Sequence, residues 1–185
     1  MSLFFYGAVE LKNDKNGITE KILKLAKEVA WNLDFEELQH NYSIEELFNI
    51  PKDRKERFLV FELKNEVYTA LYGDYNGESM IRYYRKLAKQ LNIPGWDTLE
   101  FGTMEKVNEF YRTTPPLDLP VLRFMRNLFE NFSDREIILS FDEGFENRFN
   151  CREVEGKREE LLQEAWMTIA FGYTWPNLRL IYRPR

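Results

Sequence analysis

One histidine, His40, and one cysteine, Cys151, are present in 185 residues. That scarcity excludes several chemistries. A structural zinc site takes about four Cys or His ligands, and a catalytic one about three protein ligands. No transition-metal site and no cofactor are therefore expected. A lone cysteine forbids an internal disulfide, which suits a reducing compartment, so a cytoplasmic location is expected. Nucleophilic catalysis of the Ser-His or Cys-His kind has little to work with. No Ser or Cys adjoins His40 in sequence, and Cys151 would have to fold against it.

Long apolar runs are missing too. The stretch Leu3 to Val9 is too short to cross a bilayer. No basic residue precedes it, so it reads as a buried strand rather than a signal peptide. The sequons Asn41-Tyr42-Ser43 and Asn131-Phe132-Ser133 are then accidents of spelling. No repeat, heptad array or low-complexity tract is present. Neither sign of charge dominates. The 26 basic and 31 acidic side chains leave a formal charge of −5. A mild, mixed balance of this kind argues against bulk attraction to nucleic acid or to an anionic membrane.

What the chain has in quantity is rings: 15 Phe, 10 Tyr and 4 Trp. A composition this aromatic excludes disorder. A chain of this length can bury roughly 70% of its unfolded surface. A single globular domain over 1–185 with one core is expected.

The pattern along the chain predicts mixed elements. Leu3 to Leu11 reads as a strand. Thr19 is placed to cap a helix, with Ile18 and Leu23 as its staple. Ile18, Ile22, Leu25, Ala26, Val29 and Leu33 share one face of that helix. Trp31 falls on the opposite, Lys-rich side, and the segment Tyr42 to Ile50 is available to cover it. Ser43 and Glu46 form a capping box, stapled by Tyr42 and Leu47, for a short helix that ends before Pro51. Arg57 to Lys64 and Val67 to Tyr72 are rich in β-branched and aromatic residues and flank Asn65-Glu66, which predicts a hairpin. A helix follows from about Ser79 to Leu91, then a short strand at Thr98 to Phe101 and a helix from Thr103 to about Arg112. Thr113 to Pro116 is a turn rather than a linker. Asp118 caps a strongly amphipathic helix carrying Val121, Phe124, Met125, Leu128, Phe129 and Phe132. Glu136 to Phe141 is a strand, Arg158 to Phe171 a helix and Leu178 to Tyr182 a final strand. Without regular βαβ alternation, this order predicts an α+β fold: a largely antiparallel sheet with helices packed mainly on one face. Leu128 and Phe132 are expected in one core with Val60 or Ile138.

Three segments carry candidate chemistry. The loop Gly73 to Ser79 precedes a helix and contains two glycines, but Glu78 stands where a phosphate loop needs lysine. In the helix after it, Arg82, Arg85, Lys86 and Lys89 lie away from the apolar face. This basic surface reads as a solvated face, as a docking site for an acidic partner or, with no basic flank to extend it, less readily a nucleic-acid backbone, or as an anion or nucleotide site. The segment Asp142 to Arg152 reads as a long strand-to-helix loop. Asp142, Glu143, Phe145, Arg148, Phe149 and Arg152 combine acids, Arg and rings, as a recognition loop does. Asp142, Glu146, Asn150 and Glu153 copy part of a calcium loop's spacing. Asn147 occupies the place of the turn glycine, and a strand precedes it, so calcium is not expected.

Taken together these features point to a protein-binding module, of the inhibitor or immunity-protein kind by analogy of class, with another protein as partner. Two alternatives stay open. One is a carboxylate-based, hydrolase-like enzyme using the 142–152 loop, with Asp142 and Glu143 as acid and base. The other is an anion or nucleotide binder using the 82–89 helix face.

Overall fold

The computed structural model describes residues 4–35, 48–50, 52–73, 119–142, 151–170 and 177–184. The fold is α+β. Six strands form one sheet: β1 (Phe4–Glu10), β2 (Leu33–Asp34), β3 (Phe58–Leu63), β4 (Ile137–Asp142), β5 (Cys151–Gly156) and β6 (Asn177–Tyr182). Among the described residues four helices accompany it: α1 (Lys15–Glu28), α2 (Val67–Tyr72), α3 (Pro120–Asn131) and α4 (Arg158–Ala170). A 3₁₀ turn over Lys52–Arg57 leads into β3. The strand order is β2-β3-β1-β4-β6-β5.

The sheet is mixed rather than purely antiparallel. β1 runs antiparallel to β3 and β4, β2 to β3, and β4 to β6, whereas β5 and β6 are parallel. Parallel neighbours need a crossover, which α4 supplies between β5 and β6.

Strand alternation sorts the apolar residues onto two faces. Phe5 and Val9, Leu59 and Phe61, Ile137 and Leu139, Leu178 and Leu180 join buried residues of all four helices in the main core. Residues on both sides of 115–116 contribute to it, including Ile22, Leu71, Phe124 and Trp166. Tyr6, Ala8, Phe58, Ile138 and Ile181 belong to the other face, where Phe48 and Ile50 pack on them. The expectation for Leu128 and Phe132 is therefore corrected by one residue. They share a core with Leu59 and Ile137, while Val60 and Ile138 lie across the sheet. A period of two makes every such one-residue error a change of face.

Several helix ends differ from expectation. α1 begins earlier, capped by Asp14, whose side chain accepts a hydrogen bond from the Gly17 N–H. Thr19 lies inside the helix and donates to the Lys15 carbonyl at 2.8 Å. Leu23 is exposed. α1 stops at Glu28, so Leu33 belongs to β2. Beyond the helix, Ala30 has φ of 59°. The Ala30 N–H bonds to the Lys27 carbonyl and the Trp31 N–H to that of Ala26. This pair of bonds is a Schellman ending.

That ending turns Trp31 inward, away from the Lys-rich side where helical continuation would have put it. Trp31 is buried, packs on Phe5 and Phe124, and donates its indole N–H to the Ala70 carbonyl. Among the described residues its cover comes from β1, α2 and α3. Phe48 and Ile50, from the segment expected to cover it, pack on the opposite face.

The predicted hairpin is not formed. β3 is present, but Val67–Tyr72 is the helix α2. Asn65 is held by the end of α1 instead, accepting from the Asn32 N–H and donating to the Ala30 carbonyl. The Glu66 carboxylate then accepts from the Thr69 N–H, as an N-cap residue does. Gly73 ends α2 with φ of 63° and an N–H bond to the Thr69 carbonyl. At α3 the N-cap is Leu119, without a side-chain bond, and Pro120 opens the helix, while the expected cap Asp118 lies outside the described residues. The apolar stripe of α3 is buried as expected, from Val121 to Phe129.

The capping box at Ser43 and Glu46, the helix from Ser79, the elements between Thr98 and Arg112, and the turn at Thr113 to Pro116 lie outside the described residues. So do His40 and the basic positions Arg82, Arg85, Lys86 and Lys89.

Candidate functional site

Read across the strands, the registers assemble a line that no segment of the sequence contains. Asp34 of β2 is paired with Glu62 of β3, and Glu62 with Tyr6 of β1. Tyr6 is paired with Ser140 of β4, Ser140 with Arg179 of β6, and Arg179 with Glu153 of β5. Each of the six strands thus contributes one polar residue to a single row. Neighbouring strands lie about 4.8 Å apart, so the row is roughly 24 Å long. It lies on the face opposite the described helices, beside the apolar patch of Ala8, Val60, Ile138 and Ile181.

The middle of the row is buried. Glu62 and Ser140 are each 4% exposed and Arg179 9%. Removing a charge from water costs several kcal/mol unless it is paired, and each charged member has a counter-ion. Lys64 Nζ lies 3.9 Å from both the Asp34 and the Glu62 carboxylates. Arg179 donates to Glu153 at 2.9 Å. One further pair joins the same corner of the sheet, Arg183 with Glu155 at 3.0 Å. On the helix side of β5, Arg152 forms a two-pronged pair with Glu164 of α4.

Arg179→Met is expected to lower stability by about 2 kcal/mol, because it removes the buried half of a pair. Combined with Glu153→Gln, it should cost less than the two single changes added together. Urea unfolding of the four proteins checks this, and strict additivity would mean that the two groups do not interact.

The 142–152 segment needs a correction. It is not one loop leading to a helix, because Cys151–Gly156 is strand β5. Asp142 ends β4 and Cys151 opens β5. The two roots of the remaining segment meet in one register line: Phe4 with Asp142, Asp142 with Asn177, and Asn177 with Cys151. That line is two residues along the strands from the polar row. Arg152 pairs with Glu164 on the helix side of β5. Glu143, Phe145, Arg148 and Phe149 lie outside the described residues.

Sequence reasoning missed Glu62, Ser140, Arg179 and Glu155. A signal existed for the first three. Each is the lone polar interior residue of an apolar strand, in Phe58–Leu63, Ile137–Asp142 and Asn177–Tyr182. A single sequence does not give the registers that align them.

Among the described residues, no group of three or more His, Cys, Asp or Glu is placed to hold a metal ion. Likewise, no helix among them is long and apolar enough to cross a membrane. No family model, curated protein or solved structure matches the chain.

Proposed function

We propose that this chain acts by binding another protein, and that it does so at the β6–β5 corner of the sheet. The observation that carries this reading is the convergence at that corner. Both roots of the 143–150 segment meet in one register line there, next to the Arg179–Glu153 and Glu155–Arg183 pairs. Charged pairs set on a sheet, joined in sequence to a segment rich in acids, Arg and Phe, supply the residue types that protein interfaces use. Among the described strands the corner is an outer edge of the sheet. An inhibitor or immunity-type role within the cytoplasm fits a corner of this kind, where shape and charge do the work and no reaction is required.

Site-specific photo-crosslinking tests the reading in the cells that make the protein. A photoreactive residue replacing Glu155 is expected to give a discrete protein adduct. The same residue replacing Lys24, exposed on α1, should give none. Adducts at both positions, or at neither, would remove the β6–β5 corner as the binding surface.

A further inference from the structure

Among the described residues β5 is the last strand of the sheet, and only β6 pairs with it. An edge strand offers main-chain N–H and C=O groups to any strand laid beside it. On β5, Glu153 and Glu155 stand on one face at alternate positions, with side chains 40% and 53% exposed. Each carboxylate already takes one guanidinium from the inner side, Arg179 for Glu153 and Arg183 for Glu155. An ionised carboxylate has room for several donors, so its outer flank can take another. Charge alternates outward along the row, from Arg179 to Glu153, and the next place beyond the edge suits a cation.

A second copy of the chain fits this edge badly. Two β5 strands related by a twofold axis through the sheet would keep their faces in common. Any such antiparallel register centred on residue 153, 154 or 155 sets Glu153 or Glu155 against another glutamate. Like charges directly opposite each other destabilise a strand pair. The carboxylates therefore select the occupant as well as attract it.

We propose that β5 accepts, as an added strand, an extended basic segment of a partner protein, with Lys or Arg side chains opposite Glu153 and Glu155. This rests on the protein-binding reading and gives the chemistry of the partner. Main-chain bonds to the edge supply affinity, and the two carboxylates supply register and sign.

The test uses the full chain and two synthetic peptides, Thr-Lys-Val-Lys-Val-Lys-Thr and its counterpart with Glu in place of Lys. Amide hydrogen exchange is followed at residues 153–156 while each peptide is titrated. The lysine peptide is expected to slow exchange of the outward-facing amides at least roughly tenfold when bound, and added salt should weaken its binding. Glu153→Gln and Glu155→Gln should each weaken it roughly threefold, the scale of an exposed ion pair. Because Glu155 is the more exposed, E155Q reports on docking even if E153Q disturbs the strand. No protection of β5 by the lysine peptide, or equal protection by both peptides, overturns the proposal. Self-association of the chain with β5 protected would make a second copy the occupant and overturn it as well. If residue 155 still crosslinks to a protein while the lysine peptide leaves β5 unprotected, edge docking fails and protein binding stands. If crosslinking also fails, both readings fall together.

Discussion

Urea titration of Gly7→Val is expected to show a loss of about 3 kcal/mol or more, among the largest effects of any single change in the sheet. Gly7 sits mid-strand in β1, opposite Phe61 on β3 and Leu139 on β4. The Phe61 ring lies across it, and a β-carbon at position 7 would overlap the ring's Cζ and both Cε atoms. Two other rings pack against it. It meets Phe124 edge-on, with centroids 6.0 Å apart, and Phe35 at 6.2 Å. An added side chain must therefore move the ring into α3 or push β1 from β3. Gly7→Ala should cost less, about 2 kcal/mol, since it adds one methyl to the overlap. Phe61→Leu in the Gly7→Ala background should relieve part of that cost, giving a coupling of about 1 kcal/mol between the two sites. An unchanged urea midpoint for Gly7→Val would show that the ring can swing aside.

The second large effect is expected at Phe124, whose truncation to alanine should cost about 4 kcal/mol. Phe124 is fully buried on α3. Its ring lies 4.6 Å from Trp31, 6.0 Å from Phe61 and 6.4 Å from Phe5, measured between centroids. Four rings from α3, β1, β3 and the end of α1 thus meet at one point. Aromatic pairs at such distances add about 0.5–1.5 kcal/mol beyond their buried area. Removal of the central ring leaves a cavity bounded by three others, each held by its own strand or turn, so collapse is restricted. Phe124→Leu refills much of that space and should lose about half as much. Near-UV circular dichroism of the folded variant should weaken, because Trp31 loses its nearest ring. Equal midpoints for Phe124→Ala and wild type would place the energetic centre of the core elsewhere, with Trp166 the next candidate.

The sequence showed this core well on the helices and poorly at the sheet's edge. In α3, apolar residues from Val121 to Phe129 repeat at helical spacing and are all on the buried side. Amphipathicity sustained over three turns leaves few alternatives. Val67–Tyr72 was legible as an element but not as a type. Its six residues carry β-forming side chains, yet only Ala70 and Leu71 are buried among those whose side chains are described. A run that short takes its form from what it must cover, here Trp31 and the end of α1. β5 was hidden for a different reason. At the edge of the described sheet, β5 turns Val154 toward the core between charged residues, so its alternation reads as a charged loop. The polar row was beyond reach, because register joins residues as far apart as Tyr6 and Arg179. The three strand-interior polar residues were visible one at a time, and only pairing makes them neighbours.

The order of strands also sets a timetable. β6 lies between β4 and β5 in the sheet but follows both in the chain. Until residues 177–182 are made, β4 has one side without a neighbour and β5 has no neighbour among the described strands. The crossover helix α4 meets the same delay, since the surface it covers is built partly from Leu178 and Leu180. A nascent chain halted before residue 177 would therefore carry an open edge on the apolar strand Ile137–Asp142, and a β5 without its strand partner, although α4 can already pack on α3. Such an edge is a template for pairing with other chains. Translation thus leaves a vulnerable interval in this protein, and the arrival of one six-residue strand ends it by joining the two halves of the sheet.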